Sequence, residues 1–89
     1  SRLKIEVEGT PNPSAAKFVL GSGSLGEESR SYFSAADAER DPLARRLFGI
    51  QGVRALFMVD NFITVTRAED TAWDEIVEDV LCAIREELE

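Results

Sequence analysis

The sequence predicts an α+β domain in the order β-β-α-β-β-α, with an antiparallel four-stranded sheet and two helices packed on one face of it. Three observations carry this. LKIEVE at 3–8 alternates apolar and charged residues, the period of a half-buried strand. VRALFMVDNFITVTR at 53–67 holds two β-rich runs around an Asp-Asn pair, the pattern of a hairpin. From residue 71 onward apolar side chains recur at helical spacing.

Each element has a local reason. In the first strand Leu3, Ile5 and Val7 are expected to face inward. GTPNP at 9–13 then breaks the chain, because both prolines fix φ and lack a donor. AKFVL at 16–20 is a second short strand, and residues 21–31 read as a Gly- and Ser-rich loop. Ser34 and Asp37 have the spacing of a helix-opening capping box. Asp41-Pro42 is a second helix start, with an acceptor at the cap and proline at the first helical position. Leu43, Leu47 and Phe48 form its apolar stripe, Arg45 and Arg46 point away from it, and Gly49 is placed to end it.

In the hairpin, Asp60-Asn61 as a two-residue turn pairs Val59 with Phe62, Met58 with Ile63, Phe57 with Thr64 and Leu56 with Val65. One face then carries Leu56, Met58, Ile63 and Val65. The other carries Ala55, Phe57, Val59, Phe62, Thr64 and Thr66. The last helix opens with Thr71 and Asp74 as a capping box, and Trp73, Val77, Val80, Leu81, Ile84 and Leu88 make its stripe. Glu86, Glu87 and Glu89 sit at the end of the helix dipole that disfavours acids.

Composition narrows the function classes. A chain of 89 residues, 44% hydrophobic and 30% charged, is that of one ordinary globular domain. No apolar run approaches the ~20 residues of a membrane span, and no apolar signal core opens the chain. One cysteine fits a reducing compartment, so the expected location is cytoplasmic. Histidine is absent, which removes the commonest general base and transition-metal ligand together. The net charge of −7 belongs to the C-terminal segment: residues 69–89 hold nine acids and one base, while residues 1–68 are balanced. An acidic chain lacks the basic field that nucleic-acid phosphates need. No partner among nucleic acids or membranes is expected.

Residues 21–26, GSGSLG, match the G-x-G-x-x-G spacing of a dinucleotide-binding loop. That signal requires a helix beginning within the glycines inside a parallel βαβ unit. Here the glycines run into EESRSYF, with Glu27 and Glu28 where phosphates would lie. The stretch reads as a linker. Cys82 is expected exposed or at a boundary, and nearby acids disfavour its thiolate. The acidic face of the last helix reads as solvated, or as a docking surface for a basic partner. The hairpin register makes Arg54 and Arg67 cross-strand neighbours, paired either by an acid from the last helix or by an anionic ligand. Phe57, Val59, Phe62 and Thr64 share the face away from the helices. It is either a partner site or covered by the first two strands or the 21–31 loop. No Ser/His/Asp, Cys/His or carboxylate pair carries catalysis, so no catalytic and no metal residues are assigned and an enzyme is not expected.

Three stretches carry a resemblance: TPNPSAAKF at 10–18, DPLARRLFGIQGV at 41–53 and ALFMVDNFITVTR at 55–67, with Trp73 opening the last acidic helix. Together they resemble the N-terminal domain of Nfu/NifU-type iron–sulfur scaffold proteins, across nearly all of residues 1–89. In two-domain members the cluster is held by a Cys-x-x-Cys motif in a separate C-terminal domain, and these 89 residues contain no such motif. The resemblance therefore implies an accessory domain that holds no cluster itself. It would meet an iron–sulfur cluster only by way of a protein partner, a cluster carrier or an apo-client. The matching residues that are polar or exposed are Asn12, Lys17, Arg45, Arg46, Phe62 and Thr64. With Arg54, Phe57 and Arg67 from the residue reading they form the candidate partner-binding set. The alternative function is a general adaptor that binds peptides or anionic, phosphorylated ligands through Lys17, Arg54, Arg67 and the open sheet face.

Overall fold

A computed structural model of the chain describes residues 4–21 and 29–88. Its elements are β1 (Ile5–Gly9), β2 (Ala15–Leu20), β3 (Arg30–Tyr32), α1 (Pro42–Phe48), β4 (Val53–Val59), β5 (Phe62–Arg67) and α2 (Trp73–Leu88). The strands form one five-stranded sheet in the order β1-β2-β5-β4-β3, every neighbouring pair antiparallel. The expected sheet had four strands. The one it lacked is β3, whose three residues pair Arg30 with Met58 and Tyr32 with Leu56. A run that short shows no alternation from which to read a strand.

The central hairpin has the expected register, Val59 opposite Phe62 through Leu56 opposite Val65. Asp60 adopts φ +52°, the left-handed conformation that Asp tolerates. Asn61 ties the turn to the neighbouring strand: its carbonyl accepts from the Leu20 N–H at 2.7 Å and its side-chain amide donates to the Leu20 carbonyl at 3.3 Å. One face of the sheet supplies Phe18, Leu20, Leu56, Met58, Ile63 and Val65 to the core. Leu43, Ala44 and Leu47 of α1 and Ile76, Val80, Ala83 and Ile84 of α2 close over it in a single buried cluster. The helical stripe is thus centred one step from the expected one. Ile76 and Ala83 lie inside, while Trp73, Val77 and Leu81 are half-buried along one flank.

Three local expectations are corrected. Val7 does face the helix side, opposite Phe18, but it is 46% exposed because β1 is an edge strand that α2 borders across a groove without covering it. Ile5 is half-buried, and Leu3 lies outside the described residues. The Ser34/Asp37 pairing forms, with the Asp37 N–H donating to Ser34 Oγ at 3.2 Å. It opens only a compact turn over residues 35–40, because Pro42 holds Asp41 extended at φ −107°, ψ 108°. α2 begins at Trp73, and the Thr71 hydroxyl donates to the Asp70 carboxylate at 3.3 Å instead of capping through Asp74. At the far end of α2 the acids find a cation on α1: Arg46 pairs with Glu86 and, at 3.4 Å, with Glu87.

Asp41 joins β3 to α1. Its Oδ1 accepts from the Leu43 and Ala44 N–H groups at 3.1 and 3.2 Å, and its Oδ2 accepts from Arg30 at 2.9 Å and from the Tyr32 hydroxyl at 3.0 Å. Burial raises the Tyr32 phenol above its ordinary value of 10.0, and the hydrogen bond and charge of Asp41 raise it further. A raised folded pKa means that folding favours the protonated phenol. The stabilisation is complete below the unfolded value and is lost as pH rises through the folded one. The domain is therefore expected to lose stability in alkali above about pH 10, and Tyr32→Phe to flatten that limb. Tyr32 is the only tyrosine, so the tyrosinate absorbance titrates it directly. An unshifted Tyr32 titration would contradict the assignment.

Candidate functional site

The open face of the sheet carries side chains in two rows. The first runs Glu8, Lys17, Thr64, Phe57 and Ser31 across all five strands, and the second runs Glu6, Val19, Phe62 and Val59. Phe57 and Phe62 lie diagonally on this face with ring centroids 6.2 Å apart and planes tilted by 47°. The Lys17 ammonium stands over the Phe62 ring, 4.2 Å from its centroid, within the range of a cation–π contact. Phe57 is 37% exposed, and Val19, Val59 and Phe62 are half-buried. The first two strands do not cover this face, because they are part of the same sheet. Of the 21–31 loop, residues 22–28 lie outside the described residues, as does most of the GSGSLG stretch.

The face continues past Ala55 and Thr66 into an open cleft of about 530 Å³, lined among others by Asn12, Phe33, Arg54, Arg67 and Glu69. Phe33 is 73% exposed, the most exposed large apolar side chain among the described residues. It is the residue that sequence reasoning missed. The sequence held no signal for it, because the three-residue strand before it is too short to show alternation.

The candidate residues divide into three groups. Lys17, Phe57, Phe62 and Thr64 share the centre of the open face, and Asn12, Arg54 and Arg67 border the adjoining cleft. Arg45 and Arg46 sit on α1, on the opposite side of the sheet, so the expected set is not one surface. Arg54 and Arg67 are not cross-strand neighbours. A register shift between Val53 and Ala55 places Val53 opposite Arg67 and leaves Arg54 as the extra residue of a bulge.

Arg67 is occupied by the fold. Its guanidinium donates to the carbonyls of Ala68, Glu69 and Thr71 at 3.0, 3.3 and 2.9 Å. It also lies 5.9 Å from the ring centre of Trp73. It closes the β5–α2 connection, while its buried Nε has no hydrogen-bond partner among the described residues. Asn12 is similarly engaged: its Oδ1 accepts from the Ser14 N–H at 2.9 Å, and its own N–H donates to the Thr10 hydroxyl at 3.2 Å. Cys82 is exposed on α2 and its thiol donates to Glu86 at 3.5 Å. Acids line a separate cleft at the start of α2, with Asp70, Glu75 and Asp79 around Gln51 and Thr71. No three potential metal ligands converge among the described residues. No described helix is long and apolar enough to cross a membrane.

The family model for the N-terminal domain of the scaffold protein Nfu/NifU matches residues 5–89. The chain belongs to this family. Among curated relatives, the human NFU1 iron-sulfur cluster scaffold homolog, mitochondrial, is 38% identical over 81 residues. NifU-like protein 5, mitochondrial, of Arabidopsis thaliana is 32% identical over 80. Each alignment covers 90% of this chain but only 32% and 29% of the relative, so the chain spans about a third of the proteins it matches. Two solved structures share the fold. The NifU-like protein of Saccharomyces cerevisiae superposes with a TM-score of 0.84 at 23% identity, covering 98% of this chain and 79% of that one. Protein SAV1430 of Staphylococcus aureus superposes with 0.78 at 24%, covering 94% and 99%.

Most residues that mark this chain as an Nfu N-terminal domain hold its fold. Phe18, Leu43, Leu47, Ile63 and Val65 are core. Thr10 and Asn12 lock the TPNP turn, and the Trp73 indole N–H donates to the Pro13 carbonyl at 3.1 Å, tying that turn to α2. Lys17, Phe62, Thr64 and Thr66 are among the exceptions, with side chains on the open face.

Proposed function

We propose that this Nfu N-terminal domain is a non-catalytic docking module in iron–sulfur cluster assembly or delivery. It holds no cluster itself and presents its open sheet face to a protein partner, either a cluster carrier or an apo-client. The observation that carries the reading is the face itself: Phe57 and Phe62 in contact, Lys17 over the ring, and an exposed Phe33 lining the adjoining cleft. Aromatic anchors edged by polar residues are the make-up of a protein interface. Family membership supports the pathway, and the curated relatives bear the name of iron–sulfur scaffolds. The absence of histidine and the single cysteine support a chain that carries the cluster only through a partner. A reducing compartment is part of the proposal. It is cytoplasmic on the sequence reading, while mitochondrial appears in the names of the human and Arabidopsis relatives. The adaptor alternative is weakened by Arg67, whose bonds to three carbonyls leave Arg54 and Lys17 as its cations.

Capture from lysate on the immobilised domain is expected to enrich cluster carriers or iron–sulfur apo-enzymes. Phe62→Arg and Phe33→Ala should lose them while keeping native Trp73 fluorescence. The isolated domain should stay colourless after anaerobic incubation with iron and sulfide. A stoichiometric cluster chromophore on the monomer, or enriched proteins without iron–sulfur chemistry, would overturn the reading.

A further inference from the structure

The free edge of β1 is a second surface, independent of the open face, and its hydrogen-bonding phase can be worked out. The Gly21 N–H donates to the Lys4 carbonyl at 2.6 Å, so Lys4 and Gly21 are a hydrogen-bonded pair. The register Ile5–Leu20, Glu6–Val19 and onward continues from it. In an antiparallel ladder such pairs alternate. Glu6 and Glu8 therefore bond to β2, while the N–H and C=O groups of Ile5, Val7 and Gly9 point out of the sheet. Among the described residues β1 is the edge, and nothing pairs with these groups.

The two faces of this edge differ in chemistry. On the helix side, Val7, Pro13, Ala16, Trp73 and Val77 line a mainly apolar groove of about 260 Å³ that also reaches Glu8. On the open side, Glu6 and Glu8 are both exposed. We infer that β1 accepts an extended partner segment as a sixth, antiparallel strand. The segment alternates apolar residues, seated beside Val7 in the groove, with basic residues beside Glu6 and Glu8. Main-chain bonds would supply affinity and the alternation specificity.

Charge decides between this occupant and a second copy of the chain. Two β1 strands paired about Val7, the register that engages the outward groups of Ile5, Val7 and Gly9 together, set Glu6 opposite Glu8 twice; pairing shifted to centre on Glu6 brings Lys4 opposite Glu8 but sets Glu6 against Glu6 and leaves Gly9 without a partner within β1. Like charges directly opposite are destabilising, and the net charge of −7 adds general repulsion. The same two acids that guard the edge against its own kind favour a basic strand.

The probe is the end-capped peptide Arg-Val-Arg-Val-Arg-Val. In the inferred pairing its valines share the Val7 face, and their N–H groups point at β1. Its arginine N–H groups point to solvent. Binding should shift the amide resonances of Ile5, Val7 and Gly9 and the Trp73 emission, and should weaken with salt. N-methylation of the valines should weaken binding about tenfold or more, whereas N-methylation of the arginines should leave it intact. Val7→Pro removes an outward donor that β2 does not use, together with the Val7 side chain of the groove, and should act like the valine methylation. The methylated peptides give the same answer should that variant fail to fold. Glu6→Lys with Glu8→Lys should transfer preference to the peptide with glutamate in place of arginine. No binding, equal effects of the two methylations, shifts confined to Phe57 and Phe62, or self-association through β1 would each overturn the inference.

Discussion

Gly52→Ala is expected to lower stability by about 2–5 kcal/mol, from backbone strain and overpacking together. Gly52 sits at φ +104°, a conformation that residues with a Cβ rarely adopt. An added Cβ would lie 2.6 Å from Thr71 Cγ2 and 2.9 Å from its Oγ1. The backbone has little freedom to move aside, because the Gly52 carbonyl accepts from the Ala68 N–H at 2.6 Å. Thr71 is held as well, its carbonyl accepting from Arg67. One methyl group would thus press on the junction where β4 begins, β5 ends and α2 starts. A domain of this size has about 5–15 kcal/mol in all, so the variant should be partly unfolded near physiological temperature. Denaturant unfolding followed by Trp73 fluorescence measures the loss. Thr71→Ser removes the nearest carbon but leaves the φ penalty, so the double variant should recover part of the loss. Full recovery would remove backbone strain from the account, and a loss below about 1 kcal/mol would contradict it.

The same junction shows where the sequence could be read and where it could not. Strict alternation on both sides of Asp60-Asn61 set the hairpin register through Leu56 and Val65, since a slip of one residue would send every apolar side chain to solvent. The signal ended where the burial pattern ended. The shift between Val53 and Ala55 changed the partner of Arg67, and with it the expected cross-strand pair of cations became one exposed bulge residue and one structural guanidinium. Gly52 could be recognised as part of the resemblance, but the Thr71 side chain that leaves no room for a Cβ lies 19 positions away in the chain. β3 had no pattern to read, because its three residues are a strand through pairing with β4 and contacts to Asp41, both distant in the chain. The centre of the open face was legible from alternation alone. Phe33 was not, because its exposure follows from β3. Val7 was placed on the correct side and wrongly buried: alternation gives the direction of a side chain but not whether a helix reaches it.

Asp41→Ala is expected to cost about 2–4 kcal/mol, the sum of a lost helix cap and lost charge-assisted bonds in a partly buried setting. α1 has only seven residues, too few to hold helical structure unaided. Its first turn depends on the two N–H groups that Asp41 Oδ1 satisfies. The other oxygen fixes β3 through Arg30 and Tyr32, so one carboxylate joins the last strand of the sheet to the helix covering the core. Graded substitutions separate the two roles. Ser keeps the cap and loses the second oxygen. Asn keeps the cap and a polar partner for the Tyr32 hydroxyl but loses the charge. The expected order of stability is Asp, Asn, Ser, Ala, measured at neutral pH by chemical unfolding. In the alanine variant the Tyr32 titration should also move back toward its ordinary value, because two of the causes that raise it are gone. The amides of residues 30–32 should exchange faster with solvent while those of β5 stay protected, since β3 leaves the edge without disturbing the sheet's centre. That loosening reaches the candidate site through Phe33, which follows Tyr32 directly. Asp41→Ala should therefore weaken partner capture by the open face without altering a single residue on it. Unchanged capture alongside deprotected β3 amides would show that Phe33 plays no part in docking.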